Sequence, residues 1–595
     1  MNGAELIADF LVRAEVPYVV GLCGHGDIGM LDALLRRKDE IPFISVQHEA
    51  AAGFIADAYY RVARKPLATL TSCGPGSAQI LVALGAALMD SSAILAITGN
   101  VPTSQFGRAP FQELGRHYQA DFPAAVRPFV KRAYQATRAD QLPLMLRQSY
   151  ATAISGRPGP VNLDIPLNVF AEPVDVTSTG IARGRCHIDR PPRTALPRAG
   201  AAPRDLRDAV ELLLSAQRPV IVVGGGAADG TTGPAEVQRL ADDLAALSAE
   251  TGIPVVSSPA GKDLAPEDSL GPAGRNGTLQ ANRATRDADV ILALGTRFDD
   301  RSSSSWLPGY TYSIPPARLI HVHVDPAEIG RNYPAEIAIA ATPAEVLGQL
   351  LDAIRAASAA GDERARPDAR RAWLADIAGW RAEWAKLTTF WSTSDASPLR
   401  PERVIAELRR ALPADGIVLA DVGVHHNWIV QHFEPGGPGT LLQSWGYAAM
   451  GFGVAGALGA RLAAPDRPVV AVVGDGGFLM LPSVVSTAVE YNLPVVWLVW
   501  NNGGFISIRD QQVAYFGQEY ATSFAHRTDF AAMARSMGAE GLRASTPADL
   551  GAALKTALDS GRPTVIDVAV DADTPQPAVA TWELPPLPHP EPTVG

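Results

Sequence analysis

Short runs of β-branched residues alternate with longer amphipathic stretches through most of the chain, and this alternation limits the possible fold more than any other feature. PFISV leads into HEAAAGFIADAYYRVA, and PVIVVGGG leads into a long helical run; ILAITGN, VILALGT and LIHVHVD are further runs of strand length. Strands separated by helical segments of this length read as parallel α/β units, so the expected fold class is α/β with mostly parallel sheets and helices on both faces. At 595 residues the chain is too long for one core. Two stretches interrupt the alternation. Residues 171–205 are rich in Pro, Arg and Gly and read as a linker; residues 357–400 carry dense charge and several tryptophans, an exposed helix and then a Ser/Pro-rich connector. Three domains are therefore expected, over 1–170, 205–355 and 400–575, each with strands for a five- or six-stranded sheet. Residues 576–595 form a proline-rich, extended tail.

Charge and cysteine content exclude several function classes. A net charge of −11 is wrong for nucleic acid, which needs a basic surface. Any anionic cofactor must then be held by local amides, arginines or a metal. The three cysteines, Cys23, Cys73 and Cys186, are too few and too far apart for a disulfide framework or a CxxC zinc site, and they fit a reducing compartment. MNGAELIADFLVRAEV carries acids on a helical apolar stripe rather than a signal pattern. The least polar run, AAMGFGVAGALGA, is short, Gly-rich and ended by Arg461, so no membrane span and a cytoplasmic location are expected.

The stretch VVAVVGDGGFLM ends a strand-like run on Asp475, set among glycines. Alone this is no more than a turn. Asn502 follows 27 positions on, in VVWLVWNNGG, with the helical LPSVVSTAVEYN between. Two consecutive parallel strands joined by that helix bring both residues to the carboxyl edge of one sheet, where α/β sheets bind ligands. Asp475, Asn502 and a loop carbonyl near Gly504 would then offer three oxygens to an octahedral Mg²⁺.

The whole stretch LGARLAAPDRPVVAVVGDGG, then NN, resembles the diphosphate-binding motif of thiamine diphosphate enzymes. SVQHEAAAGFIADAYYR, ahead of GPGSAQ, resembles the segment that carries their activating glutamate, which places Glu49 on the cofactor's aminopyrimidine. A glutamate favoured by a helix N-terminus is its simpler reading. Over nearly the whole chain one subgroup matches in order and spacing. GPGSAQ, DSSAILAITGNVP, FQELGR, RPFVKR, SGRPGPVNLDIP, RPVIVVGGG, GTRFDDR, VDPAEIGRN and ADVGVHHNW are similar to acetolactate synthase.

That resemblance implies a decarboxylating carboligase, which releases CO₂ from a 2-oxo acid and adds the acyl group to a second carbonyl compound. It implies a pyrimidine-binding first domain, a central FAD-type domain and a third domain for the diphosphate and Mg²⁺. It assigns the cofactor Gly74, Val424, His425, Ala449, Gly474, Gly476 and Gly477, with Met450 as the apolar wedge beneath it. Phe111, Gln112 and Lys131 line the active site, with Gln112 on the reacting carbonyl or cofactor. Gly224, Gly225, Gly226 and Arg297 belong to a structural FAD, and Arg301 pairs with a substrate carboxylate unless Asp299 or Asp300 takes it. The family's site lies between two subunits, so a homodimer or homotetramer is expected; a small regulatory subunit is left open. The glycine cluster PVIVVGGGAADG also has a dehydrogenase reading, but its GxGxxxG spacing is not the dinucleotide fingerprint and NAD chemistry would leave Glu49, Asp475 and Asn502 without roles.

Three positions depart from the family pattern. Gln511 stands where a tryptophan shapes the second-substrate pocket, Arg275 where a methionine is usual, and His25 where the residue is small. The first two imply a more polar or anionic acceptor. GLCGHGD and AGK are similar to the hydrolases that open cyclic diketones, which makes C–C hydrolysis the alternative activity. His25 is then either a proton shuttle or a structural histidine of a Gly-rich turn.

Overall fold

The computed structural model describes residues 1–113, 121–174 and 198–575. Cys186, most of the expected 171–205 linker, the last three residues of FQELGR and the proline-rich tail lie outside them. The first sheet comprises β1 (Val19–Gly21), β2 (Phe43–Ser45), β3 (Leu67–Thr71), β4 (Ile94–Asn100), β5 (Arg132–Gln135) and β6 (Val161–Pro166), in the order β2-β1-β3-β4-β6-β5. The second comprises β7 (Pro219–Val223), β8 (Val255–Ser257), β9 (Val290–Leu294), β10 (Arg318–His323) and β11 (Ile337–Ala340), in the order β11-β10-β9-β7-β8. The third comprises β12 (Ile417–Ala420), β13 (Leu441–Gln443), β14 (Val469–Gly474), β15 (Val496–Asn501), β16 (Glu540–Ala544) and β17 (Thr564–Ala569), in the order β13-β12-β14-β15-β17-β16. Every pairing in the three sheets is parallel.

Parallel pairing follows from the helical crossovers, and it buries both faces of a sheet. In the second sheet Ile221, Val223, Leu292 and Leu294 join one apolar core, while their neighbours Val220, Val222, Ile291 and Ala293 join another. The first and third sheets share one strand order, so each reverses direction between its first and third strands. Such a reversal opens a crevice at the carboxyl edge. In the first sheet it lies between β1 and β3; in the third, between β12 and β14.

By packing, the chain groups into two compact units. One contains residues 1–197, 446–465 and 481–493; the other contains 198–445, 466–480 and 494–595. The expected block 400–575 is thus split. Its Gly/Ala-rich helix Phe452–Ala463 packs in the first unit against Glu49–Ala63, itself rich in alanine. Small residues allow the contact: a methyl group at Gly459 would sit 2.0 Å from the Ile55 carbonyl oxygen. Phe54 and Phe452 meet edge to face at 6.2 Å, and the Arg61 guanidinium lies over the Phe452 ring. The charged stretch after residue 357 forms the helix Arg371–Ser392, which buries Trp373 and Ile377 and leaves most of its length exposed. None of the described helices is long and apolar enough to cross a membrane.

Candidate active site

In the first unit, β1, β2 and β3 each end in a loop that delivers a polar side chain to the carboxyl edge. Glu49 is the first residue of its helix, directly after β2, and His48 caps that helix by accepting the Ala50 N–H at 3.1 Å. Only 7% of Glu49 is exposed, and burial raises its carboxyl above the ordinary value. The GPG turn after β3 backs it: a Cβ on Gly76 would lie 3.1 Å from Glu49 Oε1. Gly74 has φ +57°, and a Cβ there would meet the Gln112 carbonyl oxygen at 1.4 Å. The turn carrying Phe111 and Gln112 is thereby seated directly on Gly74, with Gln112 held at φ +62°.

The loop after β1 adds His25. Its Nε2 is 3.5 Å from Cys73 Sγ and its ring 5.6 Å from that of Phe111. Burial pushes the Cys73 thiol up to about 11, so it remains protonated beside the imidazole. Asp27, in the same loop, was not among the expected site residues. It is fully buried, its Oδ1 accepts the Gly24 N–H at 2.9 Å, and its Oδ2 has no partner among the described residues. Burial, with a smaller contribution from Glu49, holds its carboxyl at about 6. The signal for it was the acid two positions beyond His25 in GLCGHGD.

Lys131 is not brought to this cluster. It precedes β5, at the amino edge of the sheet, and its Nζ donates to the Ser155 and Arg157 carbonyls. A parallel sheet puts that edge opposite the carboxyl edge where Glu49 stands. Ala449 and Met450, both half-buried, occupy the turn before the helix Phe452–Ala463.

In the second unit, Asp475 follows β14 and Asn502 follows β15. Asp475 Oδ1 accepts the Gly476 N–H at 2.7 Å; its Oδ2 accepts those of Gly503 at 2.6 Å and Gly504 at 3.2 Å. Burial raises its carboxyl and these bonds lower it again. Among the described residues the buried Asn502 side chain has no hydrogen-bond partner. One carboxylate, one carboxamide and a loop carbonyl are hard oxygen donors that suit Mg²⁺. Across the crevice, the helix Val424–His432 starts after β12. The His425 ring fills space left by two glycines: a Cβ on Gly423 or Gly474 would lie 2.7 or 3.1 Å from its Cε1. Gly476 and Gly477 are equally confined, by Phe505 and by the Asp421 carboxylate. Burial depresses His425 to about 3, so it is neutral.

The glycine cluster after β7, expected to belong to an FAD site, has little free backbone. The Gly224 and Gly226 amides already donate to the Leu294 and Gly295 carbonyls, and Gly225 closes on Ala260. Arg297 follows β9, its carbonyl accepting from Asn332. Unsatisfied polar groups lie near β8: Ser257 Oγ, Arg275 Nε, both amide atoms of Asn276 and Gln280 Oε1 are buried without partners among the described residues. Such a density of orphaned atoms suits a polar ligand.

Arg275 and Arg301 are pinned together, the Arg275 N–H donating to the Arg301 carbonyl at 2.9 Å. Arg275 also bonds Ser305 Oγ and faces Asp300 at 3.5 Å. Asp299 is spent on the backbone amides of Arg301 and Ser302. The Arg301 guanidinium forms no ion pair among the described residues, although it is mostly removed from solvent. Gln511 donates back to the Ser507 carbonyl of its own helix, Ile506–Phe516.

Comparison with known proteins finds relatives along nearly the whole chain. Family models described as thiamine pyrophosphate enzyme match at residues 1–120 for the N-terminal TPP binding domain, 206–350 for the central domain and 421–568 for the C-terminal TPP binding domain. The chain is 31% identical to a probable acetolactate synthase large subunit of Methanocaldococcus jannaschii, over 98% of this chain and 94% of the relative. It is 34% identical to the acetolactate synthase large subunit of Parasynechococcus marenigrum, over 96% and 88%, and 30% identical to that of Haemophilus influenzae, over 96% and 95%. With its three sheets, its buried Glu49 and its Asp475–Asn502 edge, the chain belongs to the thiamine diphosphate enzymes of the acetolactate synthase family.

Proposed function

We propose that the protein is a thiamine diphosphate-dependent carboligase that decarboxylates a 2-oxo acid such as pyruvate and joins the acyl group to a second carbonyl compound. The carrying observation is the pair of crevices in two sheets of identical strand order, one furnished with a desolvated carboxyl and the other with hard oxygen donors. When bound, thiamine diphosphate supplies a nucleophilic carbon that takes up the acyl group as CO₂ leaves. Asp475, Asn502 and the Gly504 carbonyl would hold Mg²⁺, and the amides of the helix beginning at Val424 would face the diphosphate. Glu49 would bond the aminopyrimidine, its burial favouring exchange of a proton there over a permanent charge. His25 would carry a proton to or from the acceptor carbonyl, and Gln112 would orient that carbonyl. Arg301 would receive a carboxylate, since a desolvated guanidinium without a partner is costly unless an anion joins it.

FAD, the finer part of the cofactor reading, would sit against Ser257, Asn276 and Gln280 rather than on the glycine cluster. The reading also includes a homodimer or homotetramer, and relatives named large subunits make a smaller partner chain part of it. Incubation with pyruvate, thiamine diphosphate and Mg²⁺, with CO₂ release measured, tests the proposal. Hydrolysis of a cyclic diketone without CO₂ release would replace it, but the relatives bearing synthase names favour the carboligase.

A further inference from the structure

The second unit gathers four side chains that each keep at least one polar atom without a partner among the described residues, around the edge where Arg301 emerges. Besides Arg301 and Arg275, they are His426 and Tyr515, neither expected from the sequence. His426 is 3% exposed and stacks on Trp445, with ring centroids 3.7 Å apart and planes 25° from parallel. It bonds Gln443, which anchors itself by donating to the Pro259 carbonyl at 3.0 Å. His426 Nε2 has no partner among the described residues. With Gln443 Nε2 given to the Pro259 carbonyl, its Oε1 accepts from the ring, so the bond uses Nδ1–H and Nε2 is left as an acceptor. Burial above all, with His425 and the Arg301 guanidinium as close neighbours, holds the ring well below the ordinary histidine value, so it stays neutral and that acceptor persists across the working pH range. On the helix Ile506–Phe516, Tyr515 lies one turn beyond Gln511, within electrostatic reach of Arg275, and its hydroxyl is buried and unpartnered.

The backbone holds these groups in register. Arg275 N–H is fixed to the Arg301 carbonyl, and Gln431 Nε2, on the helix that carries His426, donates to the Gly277 carbonyl at 2.9 Å. The cluster thus joins a guanidinium that has Asp300 and Asp299 nearby but makes no ion pair among the described residues, a fixed acceptor and a hydroxyl able to donate. Each is costly to bury unless a ligand completes it.

We propose that His426 and Tyr515, together with Arg301, form the acceptor subsite and that it takes a small carbonyl compound bearing both a carboxylate and a hydroxyl group. The inference rests on the carboligase reading and specifies its second substrate. Arg301 receives the carboxylate, His426 Nε2 accepts from the substrate hydroxyl, and the Tyr515 hydroxyl donates to a remaining oxygen. A pocket of this kind rejects an alkyl acceptor sharply, because the alkyl group leaves all three unpaired.

The test is a competition with pyruvate as donor and 3-hydroxypyruvate or 2-oxobutyrate as acceptor, products being scored by mass. Wild-type protein is expected to favour 3-hydroxypyruvate at least ~10-fold in kcat/KM, and H426L and Y515F should each cut that ratio ~10-fold, mainly through KM. H426N, which retains a carboxamide acceptor, should recover part of the preference. A wild-type preference for 2-oxobutyrate, or a ratio unchanged in both variants, would overturn the subsite while leaving the carboligase in place. Calorimetric titration with glycerate, a carboxylate with hydroxyls, reads binding without turnover. Binding by wild type that weakens in H426L and Y515F supports the subsite even where no CO₂ is released from any 2-oxo acid, an outcome that would sink the carboligase reading. Equal glycerate affinity in all three proteins would overturn the subsite.

Discussion

Two carboxylates, one in each unit, stand out at the scale of single residues, and their environments differ. Glu49 is desolvated with little compensation, whereas Asp475 is desolvated but tied by three backbone amides. Glu49→Gln is expected to fold and to bind thiamine diphosphate yet lose ~10²–10⁴ in turnover, because an amide cannot exchange the proton. Proton exchange at the cofactor's thiazolium carbon, followed by NMR, checks this; a wild-type exchange rate would remove Glu49 from the chemistry. Asp475→Ala should lose Mg²⁺-dependent cofactor binding in calorimetry, and unchanged affinity would place the diphosphate elsewhere. Asp27 offers a pH signature. Its carboxyl titrates near 6 in the folded protein against 3.8 when unperturbed, so the stability conferred by its neutral form is complete below about pH 4 and lost as pH rises through 6. Asp27→Asn stays neutral throughout. Its melting temperature should match wild type near pH 4 and exceed it above pH 7 by the equivalent of about 1–2 kcal/mol. The same offset at both pH values would show that Asp27 is not titrating there.

The unit of organisation at the scale of elements is the strand followed by a tight loop. Loops after β1, β2 and β3 converge because parallel strands end at one edge, and the reversal of strand order keeps helices from covering that edge. The loop after β3 is the most constrained, since Gly74 takes a left-handed φ and has the Gln112 carbonyl where a Cβ would be. Gly74→Ala is therefore expected to push out the turn carrying Phe111 and Gln112, costing about 1–3 kcal/mol and most of the activity. Chemical denaturation and the steady-state rate measure the two effects. An alanine variant with wild-type stability and rate would mean that the 111–112 turn moves freely.

The central sheet decides, at the scale of the whole molecule, whether a second cofactor is present. Titration with FAD is expected to raise the melting temperature of wild-type protein, as any ligand of the native state does. Asn276→Leu should abolish that rise without weakening thiamine diphosphate binding, because its amide supplies two of the orphaned polar atoms beside β8. A colourless protein whose melting temperature ignores FAD would remove the flavin.

The strands, the crossovers and the positions of Glu49, Asp475 and Asn502 were legible in the sequence. Each depends on local pattern: β-branched runs make buried strands, glycines mark abrupt strand ends, and a fixed crossover length sets one strand end beside the next. Tertiary structure alone decided the rest. It moved the Gly/Ala helix Phe452–Ala463 into the first unit, because close approach of two small-residue surfaces leaves no periodic mark in either segment. It removed Lys131 from the Glu49 cluster, because which edge of a sheet a residue occupies depends on strand direction within the assembled sheet. It spent the Gly224 and Gly226 amides on neighbouring strands' loops, and it gave Asp27, His426 and Tyr515 buried polar atoms without partners. Burial and hydrogen-bond satisfaction are properties of what surrounds a side chain, and residues far apart in the sequence supply those surroundings.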